Sequence, residues 1–559
     1  MESPPLLEIS DLTVGFTSDA EELTVVDHIS YTLNKSETLA VVGESGSGKT
    51  VSALAVLKLI PSPPGNISSG KIIFRSRDGG EVDILRLDDR QMQKIRGRSI
   101  SMIFQEPMTS LNPVFTCGDQ VMESLRVHLD LTGKQARERV LELFREVLLP
   151  RPESIFKSYP HQLSGGQKQR VMIAMAISCN PEILIADEPT TALDVTVQKT
   201  ILELMKGLQV SRNMSILFIT HDLGIVAGFA DRVLVMNKGR LVEEGTVSRI
   251  FKNPEQPYTR GLLACRPPLN ARLNRLPTIE NYLLNENPAS AGFITPEQRR
   301  ETHERLYSRE PVLKVENISK QFGNYTALEK ASFLVYPGET LGIVGESGSG
   351  KTTLARVVLE LIPATTGKIF YKDQDITRLT AQNLKKLRKE LQIIFQDPYS
   401  SLNPRIAIGP AILEPMKVHR LHQNDKQRKE CVMDLLQKVG LKPEHFYRYP
   451  HEFSGGQRQR VCIARALAVE PSLVICDESV SALDVSIQAQ VLNLLNDLKK
   501  DFGLTYIFIS HDLSVVKFMS DRLIVMKSGR IEEMGEADEV YAHPKSEYTR
   551  ALLEAVPGG

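Results

Sequence analysis

Two copies of one octapeptide carry the chemistry open to this chain: Gly43-Glu44-Ser45-Gly46-Ser47-Gly48-Lys49-Thr50 and Gly345-Glu346-Ser347-Gly348-Ser349-Gly350-Lys351-Thr352. Each follows an apolar run, Leu39–Val42 or Leu341–Val344, and each opens a helical pattern, Val51–Leu57 or Leu354–Leu361. Strand, glycine-rich loop and helix in that order make an anion nest, because the glycines turn backbone N–H groups inward and the helix N-terminus adds partial positive charge. The spacing lets Lys49 and Lys351 reach β- and γ-phosphates and lets Thr50 and Thr352 offer hydroxyls to Mg²⁺. One copy alone has a plainer reading, a Gly/Ser turn before a helix. Two identical copies in the same context argue for nucleoside triphosphate bound twice.

Further residues fit that chemistry. Ile183–Glu188 and Leu473–Glu478 each read as four apolar residues followed by Asp-Glu, which puts acids at the carboxyl end of a buried strand. There Asp187 and Asp477 suit Mg²⁺, directly or through water, while Glu188 and Glu478 suit orienting or deprotonating an attacking water. The bland alternative is an ordinary strand-ending acid pair. Leu163-Ser164-Gly165-Gly166-Gln167 and Phe453-Ser454-Gly455-Gly456-Gln457 precede the helical patterns Gln169–Ile177 and Gln459–Ala468. A serine N-cap with two glycines exposes N–H donors at a second helix start, so these read either as capped helices or as further phosphate-binding elements. His221 and His511 end the next apolar strands and suit contact with a γ-phosphate. Gln105 and Gln396 close Met102–Phe104 and Ile393–Phe395 and suit sensing Mg²⁺ or water. Taken singly, such a histidine is more often structural and such a glutamine a surface residue.

The elements that position these residues are repeated. Lys49 and Lys351 stand 302 positions apart and Gln105 and Gln396 stand 291 apart; Ser164/Ser454, Asp187/Asp477, His221/His511 and Tyr258/Tyr548 all stand 290 apart. The first half therefore carries extra residues ahead of Gln105, placed at Asn66–Asp89 against the shorter Thr365–Asp375, where short strands and Gly/Asp turns tolerate insertion. The rest stays in register, as duplicated domains do. We expect one domain over 6–265, a Pro- and Asn-rich linker over 266–311 holding a short helix at Pro296–Tyr307 capped by Thr295, and a second domain over 312–559. Apolar runs without alternation, such as Ile183–Ala186 and Ser215–Ile219, suit central strands covered on both faces. A helix-rich insert is expected at Asp119–Val147 and Ile408–Val439.

Lys+Arg and Asp+Glu both total 68, so the formal net charge is zero and binding of a polyanion by bulk charge is disfavoured. The six cysteines are scattered without C-x-x-C spacing, which argues against a metal cluster or a disulfide framework. No signal peptide opens the sequence and no run of about 18 apolar residues occurs, so any membrane work needs another chain to span the bilayer.

In this order the motifs resemble the ATP-binding-cassette ATPases over nearly the whole chain. The resemblance implies an α/β fold of two tandem P-loop NTPase domains, each with a mostly parallel core sheet, an antiparallel β subdomain and a helical subdomain. It makes Gln105 and Gln396 the Q-loops, Leu163–Gln167 and Phe453–Gln457 the signature motifs, with Ser164–Gln167 and Ser454–Gln457 as their nucleotide-binding residues, Ala192–Asp194 and Ala482–Asp484 the D-loops, and His221 and His511 the switch histidines. Phe16 and Phe322 fall where the family stacks an aromatic on adenine, with Tyr325 as an alternative in the second half. A narrower likeness is to importers of di- and oligopeptides, especially the fused-ATPase kind serving glutathione and related peptides. It rests on Gln105–Pro113, Gln396–Pro404 and the tails Tyr258–Leu263 and Tyr548–Leu553. That kinship implies ATP and Mg²⁺ as cofactors, two integral-membrane permeases and a periplasmic solute-binding protein as partners, and no nucleic acid. It also implies a peripheral position on the cytoplasmic face of the inner membrane, and head-to-tail pairing of the halves. The alternatives are a soluble tandem ATPase acting on ribosomes or DNA, disfavoured by the short, charge-balanced linker, and a sugar importer with fused ATPases. Phe453 in place of Leu and Ser479-Val480 in place of Pro-Thr depart from the family pattern without removing a phosphate-facing group. The cysteine-rich tail of some relatives is absent, so no iron–sulfur cluster is carried over.

Overall fold

The strand that feeds each phosphate loop is buried along its whole length, and the rest of each half is arranged to keep it so. In the computed structural model the described residues are 4–17, 22–105, 110–191, 193–284, 292–481 and 483–556. They divide into two compact units, one made of residues up to Leu193 with Val197–Leu263, the other taking in Asp194–Thr196 and everything from Ala264 onward.

In the first unit β1 (Leu7–Thr17), β2 (Glu22–Leu33), β4 (Gly65–Arg75) and β5 (Glu81–Asp83) form an antiparallel sheet in the order β2-β1-β4-β5. A second sheet has the order β10-β9-β3-β8-β7-β6, from β3 (Thr38–Val42), β6 (Ile100–Ile103), β7 (Ile183–Asp187), β8 (Ser215–Thr220), β9 (Arg232–Asn237) and β10 (Arg240–Thr246). All its pairings are parallel except β9 with β10. Strand β7 shows why its sequence does not alternate. Ile183 and Ile185 enter the core beneath the antiparallel sheet, whereas Leu184 and Ala186 enter a core shared with the helical insert. Both faces are covered, so both sets of positions are apolar. The insert comprises helices Cys117–Leu129 and Gly133–Glu146, the second with Val140, Leu143 and Phe144 fully buried.

The second unit repeats this plan. β11 (Leu313–Phe322), β12 (Tyr325–Val335), β14 (Thr366–Tyr371) and β15 (Gln374–Asp375) form the sheet β12-β11-β14-β15. β13 (Thr340–Val344), β16 (Leu391–Ile394), β17 (Leu473–Asp477), β18 (Thr505–Ile509), β19 (Arg522–Lys527) and β20 (Arg530–Glu536) form β16-β17-β18-β13-β19-β20. Its helical insert is Ile408–Val418 and Asp425–Lys438. The extra residues of the first half lie in the β4–β5 hairpin, which is longer than β14–β15, and in the 3₁₀ turn Ile84–Arg86 that follows it.

The segment 266–311, expected as a linker, belongs to the second unit in its described parts. Its helix Pro296–Tyr307 starts at a capping box, with the Thr295 hydroxyl accepting from the Gln298 N–H. Arg299 pairs with buried Asp521 at 2.8 Å, and Leu276 exchanges backbone bonds with the Asn493 amide at 2.9 and 2.8 Å. No helix among the described residues is long and apolar enough to cross a membrane.

Candidate active site

Each phosphate loop closes around its lysine. Lys49 Nζ donates to the carbonyls of Gly43 and Glu44, both at 2.8 Å; Lys351 Nζ donates to those of Gly345 and Glu346 at 2.7 and 2.9 Å. Both lysines are buried and both lead helices, Lys49–Val56 and Lys351–Val358. The hydroxyls of Ser47 and Ser349 are buried without a hydrogen-bond partner. A loop with a buried ammonium, orphaned hydroxyls and a helix N-terminus matches the donor set that a triphosphate takes up.

The acids stand where the strand pattern put them. Thr50 Oγ1 donates to Asp187 Oδ1 at 3.1 Å, and Thr352 Oγ1 to Asp477 Oδ1 at 3.2 Å. Burial pushes the Asp187 carboxyl up to about 6, with neighbouring Glu188 adding to the rise and the Thr50 bond opposing it; Asp477 is raised by the same causes. Such a hydroxyl–carboxylate pair fits a hard divalent cation.

Glu188 and Glu478 adopt the left-handed region, φ 47° and 48°. Their N–H groups continue the sheet, donating to the carbonyls of Ile219 and Ile509, both at 2.9 Å. A non-glycine residue held in that conformation stores strain, which commonly marks a functional position. The Glu188 carboxylate meets His221 Nδ1 at 3.1 Å and accepts from Gln105 Nε2 at 3.0 Å and the Thr191 hydroxyl at 2.9 Å. Burial works to raise this carboxyl, but the bond and charge of His221, helped by Thr191, outweigh it and hold the group at about 2. In the second unit Glu478 meets His511 Nδ1 at 3.5 Å and accepts from Gln396 Nε2 at 2.9 Å, and its carboxyl is again lowered overall. The structure thus brings loop lysine, threonine, Asp, Glu, Gln and His together in each unit.

Other residues singled out by sequence stand apart. Ser164 and Ser454 are exposed N-caps of helices Gly165–Ile177 and Gly455–Leu467, each bonded within its own capping box to Gln167 or Gln457. Their following N–H groups at Gly165 and Gly455 lie at the open surface. Phe16 is half-buried against the core at Gly65, whereas Phe322 and its cross-strand partner Tyr325 are both exposed. The run 106–109 and the D-loop residues Ala192 and Ala482 lie outside the described residues.

Two contributors escaped sequence reasoning. One is the hydroxyl after the acidic strand: Thr191 reaches the Glu188 carboxylate, whereas Ser481 instead donates to the Glu478 backbone carbonyl at 2.9 Å. The other is a tyrosine brace. Tyr258 OH accepts from the Glu44 N–H at 3.4 Å, and Tyr548 OH from the Glu346 N–H at 3.2 Å, each in the second residue of a phosphate loop. The helices bearing them, Pro257–Ala264 and Glu547–Glu554, follow turns anchored on Glu243 and Glu533, whose carboxylates accept two backbone N–H bonds each. Removing one such bond costs about 1 kcal/mol. We therefore expect Tyr548→Phe to weaken ATP binding at its site about threefold to fivefold, measured by equilibrium titration; unchanged affinity would mean the brace is only structural.

This architecture has a known counterpart. A family profile described as ABC transporter matches residues 26–191 and 328–481, one copy on each half. The chain belongs to the ABC transporter family. A second profile, the C-terminal region of oligopeptide/dipeptide transporters, matches residues 242–292 and 533–558, the segments that carry Tyr258 and Tyr548. The glutathione import ATP-binding protein GsiA of Salmonella paratyphi A is 47% identical over 100% of this chain and 90% of that protein. The protein of the same name from Escherichia coli strain K12 is 48% identical over 99% of this chain and 89% of its own length. As a member of the ABC transporter family, the chain binds ATP and hydrolyses it to drive a transporter.

Proposed function

We propose that this ABC transporter subunit powers uptake of small peptides, glutathione-like ones included, through two membrane-embedded permeases supplied with solute by a periplasmic binding protein. What carries the reading is the oligopeptide/dipeptide C-terminal profile on both halves, in a chain that aligns end to end with glutathione-import relatives. The subunit is peripheral in this reading, held at the cytoplasmic face of the inner membrane by its permeases. Removing the gene from its own cell should abolish uptake of labelled glutathione or of a labelled dipeptide, and a Lys49→Ala copy should not restore it. Undiminished uptake of both would sink the proposal.

The site residues take these roles. Lys49 and Lys351, with the loop N–H groups, hold the β- and γ-phosphates of ATP; Phe16 and Phe322 flank the adenine. Thr50 with Asp187, and Thr352 with Asp477, hold Mg²⁺, attended by Gln105 and Gln396. The cation neutralises phosphate charge and polarises the terminal phosphoryl group. Glu188 and Glu478 accept a proton from the attacking water, while His221 and His511 fix the carboxylates and face the γ-phosphate. The signature donors of Ser164–Gln167 and Ser454–Gln457, whose leading residues Ser164, Gly165, Ser454 and Gly455 are exposed, complete each site from the opposite half in head-to-tail fashion. Lys49→Ala with Ser454→Ala should then spare one site and still occlude one nucleotide. Lys49→Ala with Ser164→Ala should occlude almost none, and the reverse pattern would refute the pairing.

A further inference from the structure

One cavity of the second unit differs from the catalytic cleft in both position and charge. It has a volume of about 380 Å³ and is walled by residues 272–274 and by residues between Ile294 and Arg309, together with Pro337-Gly338, Leu504 and residues from Phe518 to Asp521. Those last residues precede β13, β18 and β19, so the cavity lies at the amino ends of the parallel strands. The phosphate loop sits at the other end of β13, a five-residue strand, roughly 17 Å away.

Six cationic side chains line the cavity, Arg272, Arg299, Arg305, Arg309, Lys499 and Lys500, against one acid, Asp521. That acid is already committed. Buried Asp521 accepts from the Thr340 N–H at 2.8 Å and pairs with Arg299 at 2.8 Å and Lys499 at 3.2 Å. Arg305, Arg309 and Lys500 have no acidic partner among the described residues. Arg272 and Arg299 also pair with the acids Asp538 and Glu536, which stand outside the cavity lining. The Arg272 side chain is only 8% exposed, its Nη2 donates to the carbonyls of Lys517 and Ser520, and its Nε makes no hydrogen bond, with Asp538 3.4 Å away. Burial and the neighbouring Arg299 work against its charge, while Asp538, Asp521 and Glu536 support it. The charge left for a ligand is therefore that of Arg305, Arg309 and Lys500.

The floor is apolar, formed by buried Leu306, Leu504 and Phe518. The first half does not repeat these cations in its sequence: at the 290-residue register Gln209 and Val210 stand where Lys499 and Lys500 do, and the segment 266–311 occurs once. We propose that this cavity binds a small organic polyanion, phosphate-bearing or polycarboxylate and no larger than a nucleotide, at a site separate from both ATP sites. The size lies within the range of small-molecule pockets. A ligand bridging Arg305 and Arg309 to Lys499 and Lys500 would tie the inter-half segment to the second unit, which gives a cellular anion a handle on the chain away from the chemistry.

The test uses the full chain with Glu188→Gln and Glu478→Gln, saturated with Mg-ATP so that both phosphate loops are filled. Inorganic pyrophosphate and citrate are titrated in turn by calorimetry at low ionic strength. At least one should bind once per chain, more weakly as salt rises. Adding Arg305→Glu and Lys500→Glu, both exposed positions, should weaken that binding tenfold or more with ATP content unchanged, while Arg305→Lys with Lys500→Arg should retain it. Saturable binding by neither probe, or binding indifferent to the charge reversals, would overturn the proposal.

Discussion

Glu188→Gln and Glu478→Gln are each expected to slow ATP turnover at their own site by about 10²- to 10³-fold while leaving ATP bound, the scale of losing a general base. The first carboxylate is kept ionised by its partners: His221 on one oxygen, Gln105 and Thr191 on the other. A glutamine keeps the size and the left-handed backbone of the position but offers no group able to take a proton. The lysine, threonine and Asp187 proposed to serve phosphate and cation are untouched, so nucleotide affinity should hold. Single-turnover release of phosphate, with bound nucleotide counted in parallel, separates the two effects. If one variant keeps its rate, its glutamate is not the base and the sites are unequal. The second unit is then the first suspect. Its carboxylate has a longer contact to histidine, 3.5 Å against 3.1 Å, and lacks the hydroxyl bond that Thr191 supplies, because Ser481 bonds the backbone instead.

How much of this was legible in the sequence depends on how far apart the interacting groups lie. The phosphate loops, the acidic strands and the double-sided cores around β7 and β17 are written locally, in runs of under a dozen residues with one period each. The internal repeat then checked every reading against a second copy. The tyrosine braces were not legible in that way. Tyr258 and Glu44 are 214 positions apart, and the tail motif was visible only as a repeat landmark and a family resemblance until the fold set its hydroxyl against the loop. The contacts of the inter-half segment were hidden for a related reason. Its prolines, asparagines and weak periodicity read as a linker, yet its attachment to the second unit comes from single polar anchors, Arg299 on Asp521 and Leu276 on Asn493, which leave no periodic trace. The split between Thr191 and Ser481 was invisible because Thr and Ser carry the same donor, and only the geometry shows which oxygen receives it.

The largest structural effect is expected at the first glycine of each phosphate loop. Gly43 sits at φ +152° and Gly345 at +150°, where side chains are strained, and a Cβ on either would stand 2.2 Å from a backbone carbonyl oxygen, that of Met236 or Met526. Those carbonyls belong to β9 and β19, which pair with the loop strands β3 and β13, so neither can retreat without breaking the sheet that aims the loop. Gly46 and Gly348 supply the matched control. They too have positive φ, +78° and +77°, but nothing lies within 4 Å of an added Cβ, leaving only a left-handed penalty of about 1–2 kcal/mol. Gly43→Ala should therefore abolish ATP binding at its own site, with stoichiometry falling from two to one, and should lower the melting temperature. Gly46→Ala should still bind two ATP, with an affinity reduced by no more than the strain accounts for, about tenfold. The same contrast should appear between Gly345→Ala and Gly348→Ala. Counting nucleotide per chain after equilibrium dialysis decides it. Two ATP bound with native affinity to Gly43→Ala would mean that the loop does not need the carbonyl of β9 so close, and that the nest is held open by something other than the sheet beneath it.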